Sequence, residues 1–162
     1  MWSAYENLPN NSKVWVFQSD KEIASNIIDG MQVDLRQFID GWVSHSKPFP
    51  AHALMLYNRF IVVIADESAT HIGGCSMDTL MRCIDDVEKK YDVQLKLRNE
   101  VAYLNPSDTV PNIIPLSQLK DTYANGVIHE NTIVFDNLVN TKQAFESGWK
   151  KNISESWHKR FL

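Results

Sequence analysis

The sequence predicts an α+β fold: a split βαβ (ferredoxin-like) antiparallel sheet core followed by a helical, aromatic-rich C-terminal extension. Three observations lead there. Short β-branched or apolar runs are interleaved with two long segments whose apolar residues recur at steps of three and four. Over residues 13–105 the order is strand, helix, strand, strand, helix, strand, the order of a split βαβ unit. The chain of 162 residues, 44% hydrophobic and 22% charged, has a globular composition.

Val14 to Gln18 combines β-branched and aromatic residues and reads as the first strand. Ser19 with Glu22 three residues later has capping-box spacing, in which each side chain satisfies a free backbone donor at a helix start. Ile23, Ile27, Met31, Leu35, Phe38 and Trp42 then form one apolar stripe along a helix of about five turns. Gly30 inside it costs about 1 kcal/mol of helix propensity.

His45 to Ala51, with Pro48 and Pro50, reads as a loop. His52 to Leu56 and Arg59 to Ala65, separated by Tyr57-Asn58, read as a hairpin. Its second run is continuously apolar, as in a strand covered on both faces. After a polar, glycine-rich connection, Met77, Leu80, Ile84, Val87 and Tyr91 mark one face of a second helix, and Glu100 to Leu104 the last core strand. Both helices should lie on one side of the sheet. The other face is then wet, or covered by the rest of the chain, or covered by a second subunit.

In the remainder, Leu116 to Tyr123 reads as a short helix and Thr132 to Phe135 as a brief strand. Asn140 to Trp149 reads as a helix capped by Asn140 or Thr141, and Ile153 to Trp157 as a final turn. No repeat or composition shift divides the chain. The expectation is one domain, 1–162, with a core unit 13–105 and an extension 106–162 packed on it.

Sixteen Lys+Arg against 20 Asp+Glu give a net charge of -4, which offers no overall attraction to nucleic acid or an anionic membrane. Ser156 to Arg160 is too small a basic cluster to suggest a nucleic-acid surface. Its Trp157, with Trp149, Phe145 and Phe161, suits anchoring of the tail. Met1 to Ser12 lacks the basic start and apolar core of a secretion signal. The longest strongly apolar run, Phe60 to Ala65, is far below the roughly 18 residues of a membrane helix. Two cysteines make no disulfide framework, and a cytoplasmic location is expected.

The most pointed local feature is Gly73-Gly74-Cys75-Ser76-Met77-Asp78. Ser76 is a suitable N-cap for the second helix, with Asp78 in its first turn. Cys75 then lies just outside a helix N-terminus, where thiolate is favoured. Gly73 and Gly74 permit a sharp bend or close approach of a ligand. The functional reading is a reactive thiol, with His71 or Asp78 assisting Cys75, or a nest for a small anion. The structural reading is a tight turn before a capped helix. His45, at the end of the first helix, is expected at the opposite end of the sheet from Cys75. Arg98 can bind an anion bidentately or pair with Asp92 or Glu100.

Cys83 falls on the apolar side of the second helix and reads as a small core residue. Eight helical positions set it about 12 Å from Cys75, beyond the roughly 7 Å a disulfide allows. The five histidines are scattered without H-E-x-x-H or C-x-x-C spacing, so no metal site is expected. Neither G-x-x-x-x-G-K-[ST] nor G-x-G-x-x-G occurs, and no cofactor is expected.

Val14-Trp15-Val16-Phe17-Gln18-Ser19, Phe38-x-x-x-Trp42-x-x-His45, Arg59-Phe60-Ile61-Val62-Val63, Gly74-Cys75-Ser76-Met77-Asp78 and Ser156-Trp157-His158 resemble a family of small uncharacterised proteins from Bacteroidetes. Some members carry the label "ABC transporter ATPase". This chain lacks the phosphate-cradling loop that label requires. The resemblance implies a bacterial, cytosolic protein and carries over no catalytic role. The leading expectation is a non-catalytic domain that binds a small anionic ligand or a protein partner, or forms a homodimer. The competing ones are a thiol-dependent or hydrolytic enzyme using Cys75 and a purely structural oligomer subunit.

Overall fold

The computed structural model describes residues 1–162. Strand β1 (Lys13–Gln18) forms over the expected β-branched and aromatic run. Helix α1 (Ser25–Gly41) starts later than the capping box predicts, with Ala24 as its cap residue. Ser19 Oγ accepts instead from the Lys21 amide. Residues 19–24 cross the end of the sheet, where the Ile23 amide donates to the Asn58 carbonyl at 2.7 Å. Full burial of Ile23, about 2 kcal/mol, outweighs a cap of about 1 kcal/mol.

The expected loop after α1 holds a small hairpin, β2 (Val43–Ser44) and β3 (Lys47–Pro48). His45 and Ser46 turn it at φ 51° and 62°, the left-handed pair that suits two-residue hairpins. Strands β4 (Ala51–Leu56) and β5 (Phe60–Ala65) form the predicted hairpin. Tyr57 and Asn58 sit at φ 55° and 52°, and the Arg59 amide donates to the Leu56 carbonyl at 3.1 Å.

Strand β5 lies between β1 and β4, antiparallel to both, and every one of its residues is buried. Ile61, Val63 and Ala65 pack with Met31, Leu35 and Ile39 of α1 and with Leu80 and Ile84 of α2 (Gly74–Tyr91). Phe60, Val62 and Ile64 point the other way. The two helices thus share one face of the sheet, as expected.

The fourth core strand departs from the split βαβ layout. Strand β6 (Glu100–Leu104) does not join β1 but leads a second antiparallel sheet with β7 (Asn112–Pro115), β8 (Ile133–Phe135) and β9 (Lys150–Asn152), in the order β7-β6-β8-β9. Beside β1 stand only two isolated bridges, Gln18 with Lys96 and Lys13 with Thr141. The reason lies in β6 itself: Val101 and Tyr103 are buried on one face and Ala102 on the other. A strand apolar on both faces is stable when it is central in a sheet with cover above and below.

This second sheet covers the face of the first that the helices leave open. Ala102, Phe135, Phe145 and Trp149 pack on Val14, Phe60, Val62 and Ile64. Its far side buries Val101, Tyr103 and Val134 with Leu119 of α3 (Leu119–Ala124), Ile128 and Ile153. The C-terminal part is therefore mixed rather than helical. Helix α4 (Lys142–Gly148) has the predicted cap, with the Ala144 amide donating to Thr141 Oγ1 at 3.1 Å.

Candidate functional site

Ala65 pairs with both Lys13 and Ala51, so β5 ends where β1 and β4 begin. That is also where α1 ends, and α2 starts there. The expectation that His45 and Cys75 lie at opposite ends is overturned, because an antiparallel β5 brings the chain back to the end that α1 reaches. A Cβ on Gly73 would stand 3.8 Å from His45 Nε2.

Ser76 is not the N-cap. Helix α2 begins at Gly74 behind Gly73, and Ser76 is buried in the first turn. Its Oγ donates to the Val43 carbonyl at 3.0 Å, and its own carbonyl accepts the buried Trp42 Nε1–H at 2.9 Å. Ser44 Oγ donates to the His71 carbonyl at 2.6 Å. The hydroxyl predicted to cap the helix instead ties it to the chain leaving α1. A buried hydroxyl gains more from a fixed carbonyl than a solvent-facing cap would supply.

Cys75 and Asp78 are exposed in the first turns of α2. His71 is exposed as well, with Nδ1 3.2 Å from the Glu67 carboxylate. That carboxylate also meets Lys13 at 3.1 Å and accepts the Ile72 amide at 3.2 Å. Burial raises the Glu67 carboxyl, but the Ile72 amide and Lys13, with His71, outweigh it and hold the group below its ordinary range. The hydrogen bonds of this corner join His71 to Glu67 and the two chain segments to each other; none joins an imidazole to the Cys75 thiol. The structure thus gathers His71, Gly73, Gly74, Cys75, Ser76 and Asp78. Arg98 is exposed at the other end of the sheet, beyond Lys96 and its bridge to Gln18. The length of β5, roughly 17 Å, separates the two.

Cys83 packs against the core from its margin and is not enclosed in it. It is half-buried on a groove of about 540 Å³ between α1 and α2, where Asp34, Phe38, Arg82 and Lys90 also contribute. Burial, with Asp86 and Asp34 nearby, pushes its thiol up to about 11. Lys90 and the Tyr91 hydroxyl both donate to Asp34, at 2.7 and 2.6 Å, and hold its carboxyl below the usual range.

The tail segment turns inward. Trp157 Nε1 donates to Asp136 at 3.0 Å and its ring stacks on His158 at 3.8 Å. His158 is buried and shares a 2.7 Å hydrogen bond with Ser156 Oγ. Burial pushes its imidazole down to about 4.

A feature that motif reasoning missed lies on the outer edge of β4. The Ala51 amide donates to the Met1 carbonyl at 3.0 Å, and the Ala51 carbonyl accepts from the Ser3 amide at 2.9 Å. Residues two apart on a strand point their backbone groups the same way. Ala53 and Met55 therefore aim their N–H and C=O groups outward, past the point where Met1–Ser3 stops, and no segment of the chain pairs with them. Beside this edge runs a groove of about 570 Å³, lined by Trp2, Asp29, Val33, Arg36, Leu54 and Met55. Val33 is 66% exposed. Two sequence signals mark the edge: His52 to Leu56 carries no acidic, lysine or arginine residue, and Val33 stands off the apolar stripe of α1.

No three His, Cys, Asp or Glu side chains converge as a metal ion would need, and no helix is long and apolar enough to cross a membrane. Comparison with protein-family models, curated proteins and solved structures finds no match to this chain. The fold defines a mixed α+β protein with several antiparallel sheets.

Proposed function

We propose that the protein is a non-catalytic protein-binding domain whose docking element is the free edge of β4. The observation that carries this reading is the pair of unpartnered residues Ala53 and Met55 beside an apolar-floored groove. Strand addition supplies main-chain hydrogen bonds, and the groove takes side chains. A neutral, apolar open edge is a liability unless something covers it. Amide exchange of the full chain tests this, once dilute and alone and once at several hundred micromolar in concentrated cell extract. The Ala53 and Met55 amides should exchange freely when dilute and become protected in extract. Equal, rapid exchange in both conditions overturns the reading.

A second reading is thiol chemistry at Cys75, with His71 or Asp78 assisting and Gly73, Gly74 and Ser76 holding an anionic ligand. It is favoured by the exposure of Cys75 in the first turn of α2 and by the approach of His45 and His71 to the same corner. It requires His71→Ala to slow alkylation of Cys75 by about tenfold, as loss of an activating base would. An unchanged rate removes it.

A further inference from the structure

We infer that the partner at the β4 edge is a second copy of this chain, related by a two-fold axis that passes between the two copies, beside Leu54 of β4 and level with the midpoint between Gln32 and Val33 of α1. The inference rests on the edge-binding reading and names its partner.

Antiparallel pairing of two β4 strands about Leu54 sets Ala53 of each copy opposite Met55 of the other. Both residues present outward N–H and C=O groups, so each pair exchanges two hydrogen bonds. The length also fits. The open stretch is bounded at one end by Met1–Ser3 on Ala51 and at the other by the Tyr57-Asn58 turn. In this register Leu56 of the second copy lies beside His52, and its chain turns away before reaching Met1–Ser3. A longer added strand would run into that N-terminal segment.

Helix α1 flanks the same edge and carries the complementary charge. Asp29 and Arg36 are both exposed, and neither forms an ion pair within the chain. They stand about 10 Å apart along the helix and flank the Gln32-Val33 midpoint symmetrically. A two-fold axis there makes the two α1 helices antiparallel and sets Asp29 of each copy against Arg36 of the other. Val33 meets its own copy at the axis and is removed from water. A surface that is neutral in sum and complementary to itself under a two-fold rotation is what an isologous dimer requires.

Sedimentation equilibrium of the full chain, from low micromolar to several hundred micromolar, reads the association. A species of twice 18.6 kDa is expected. Met55→Pro, which removes an outward amide at an edge where proline is tolerated, should abolish it. Asp29→Arg and Arg36→Asp, both at exposed positions, should each weaken it by about tenfold. Mixing these two variants should restore a heterodimer, because every cross-axis pair is then again of opposite sign; a folding defect gives no such rescue. A monomer at all concentrations overturns the inference, as does a dimer indifferent to these substitutions or unrescued on mixing. Protection of Ala53 and Met55 in extract without self-association overturns the second copy as partner and leaves the edge-binding reading standing.

Discussion

Gly30 of α1 and Tyr91 of α2 approach so closely that a Cβ on residue 30 would stand 2.8 Å from the Tyr91 hydroxyl. That hydroxyl donates to Asp34, one turn further along α1. The glycine that weakens α1 in isolation is thus what lets the second helix close on it. Gly30→Ala gains about 1 kcal/mol of helix propensity but must displace the tyrosine from Asp34, at a cost of about 1–2 kcal/mol. The substitution should be neutral or destabilising in the native chain and stabilising by about 1 kcal/mol in a Tyr91→Phe background. Urea denaturation of the four proteins in this cycle measures the coupling. Equal effects in both backgrounds would show that the close contact has no energetic consequence.

His158 makes the fold sensitive to mild acid. Its folded-state pKa, about 4, lies below the ordinary value of 6.5, because burial disfavours the imidazolium. The unfolded chain therefore binds the proton first. This residue carries no penalty above pH 6.5; the loss grows as pH falls toward 4 and reaches about 3 kcal/mol below it. His158→Gln should flatten the dependence of unfolding free energy on pH between 6.5 and 4. A variant with the native slope in that window would assign the effect to other groups.

Lys142 pins the N-terminal turn. Its buried Nζ donates to the Leu8 carbonyl at 2.7 Å and the Tyr5 carbonyl at 3.0 Å, and it lies 4.4 Å from the centre of the Tyr5 ring. Lys142→Met keeps the aliphatic stem but leaves two carbonyls without this donor. A loss of about 2 kcal/mol is expected, with faster amide exchange at Leu8. Stability within about 0.5 kcal/mol of the native chain, the range usual for surface substitutions, would show that the turn is held by other contacts.

The two thiols should separate kinetically. Cys75 is exposed, whereas Cys83 is half-buried with its thiol pushed up to about 11. At neutral pH only about one Cys83 in ten thousand is thiolate. Labelling with a disulfide reagent should show one fast and one slow phase, about a hundredfold apart, and Cys75→Ser should remove the fast one. Two phases of similar rate would mean that the groove at Cys83 opens readily.

Features set by neighbours along the chain were legible. The hairpin joined at Tyr57-Asn58, the double-sided burial of β5 and a cap for α4 at Asn140 or Thr141, where the structure selects Thr141, follow from local residue types and formed as read. Ser19 misled because its hydroxyl takes the Lys21 amide while residues 19–24 cross the end of the sheet before α1 begins. Ser76 misled because a hydroxyl beside a helix start has two uses. It can cap, or it can serve a partner that only tertiary structure brings near, as the Val43 carbonyl is brought to Ser76. His45 misled for a directional reason: strand alternation places both α1's end and α2's start beside Ala65.

The sequence by itself determined an α+β protein, two amphipathic helices over one sheet face, and a glycine-cysteine turn at the start of α2. Periodicity and turn chemistry act over a few residues and leave their mark in the chain. Tertiary structure alone decided that β6 joins a second sheet, that this sheet covers the first, and that His45 comes to the end of the sheet where α2 starts. It also decided which strand edge stays open. A backbone amide looks the same in the sequence whether or not a neighbouring strand reaches it, so the free groups of Ala53 and Met55 became visible only once β1, β5 and the N-terminal segment had taken their places.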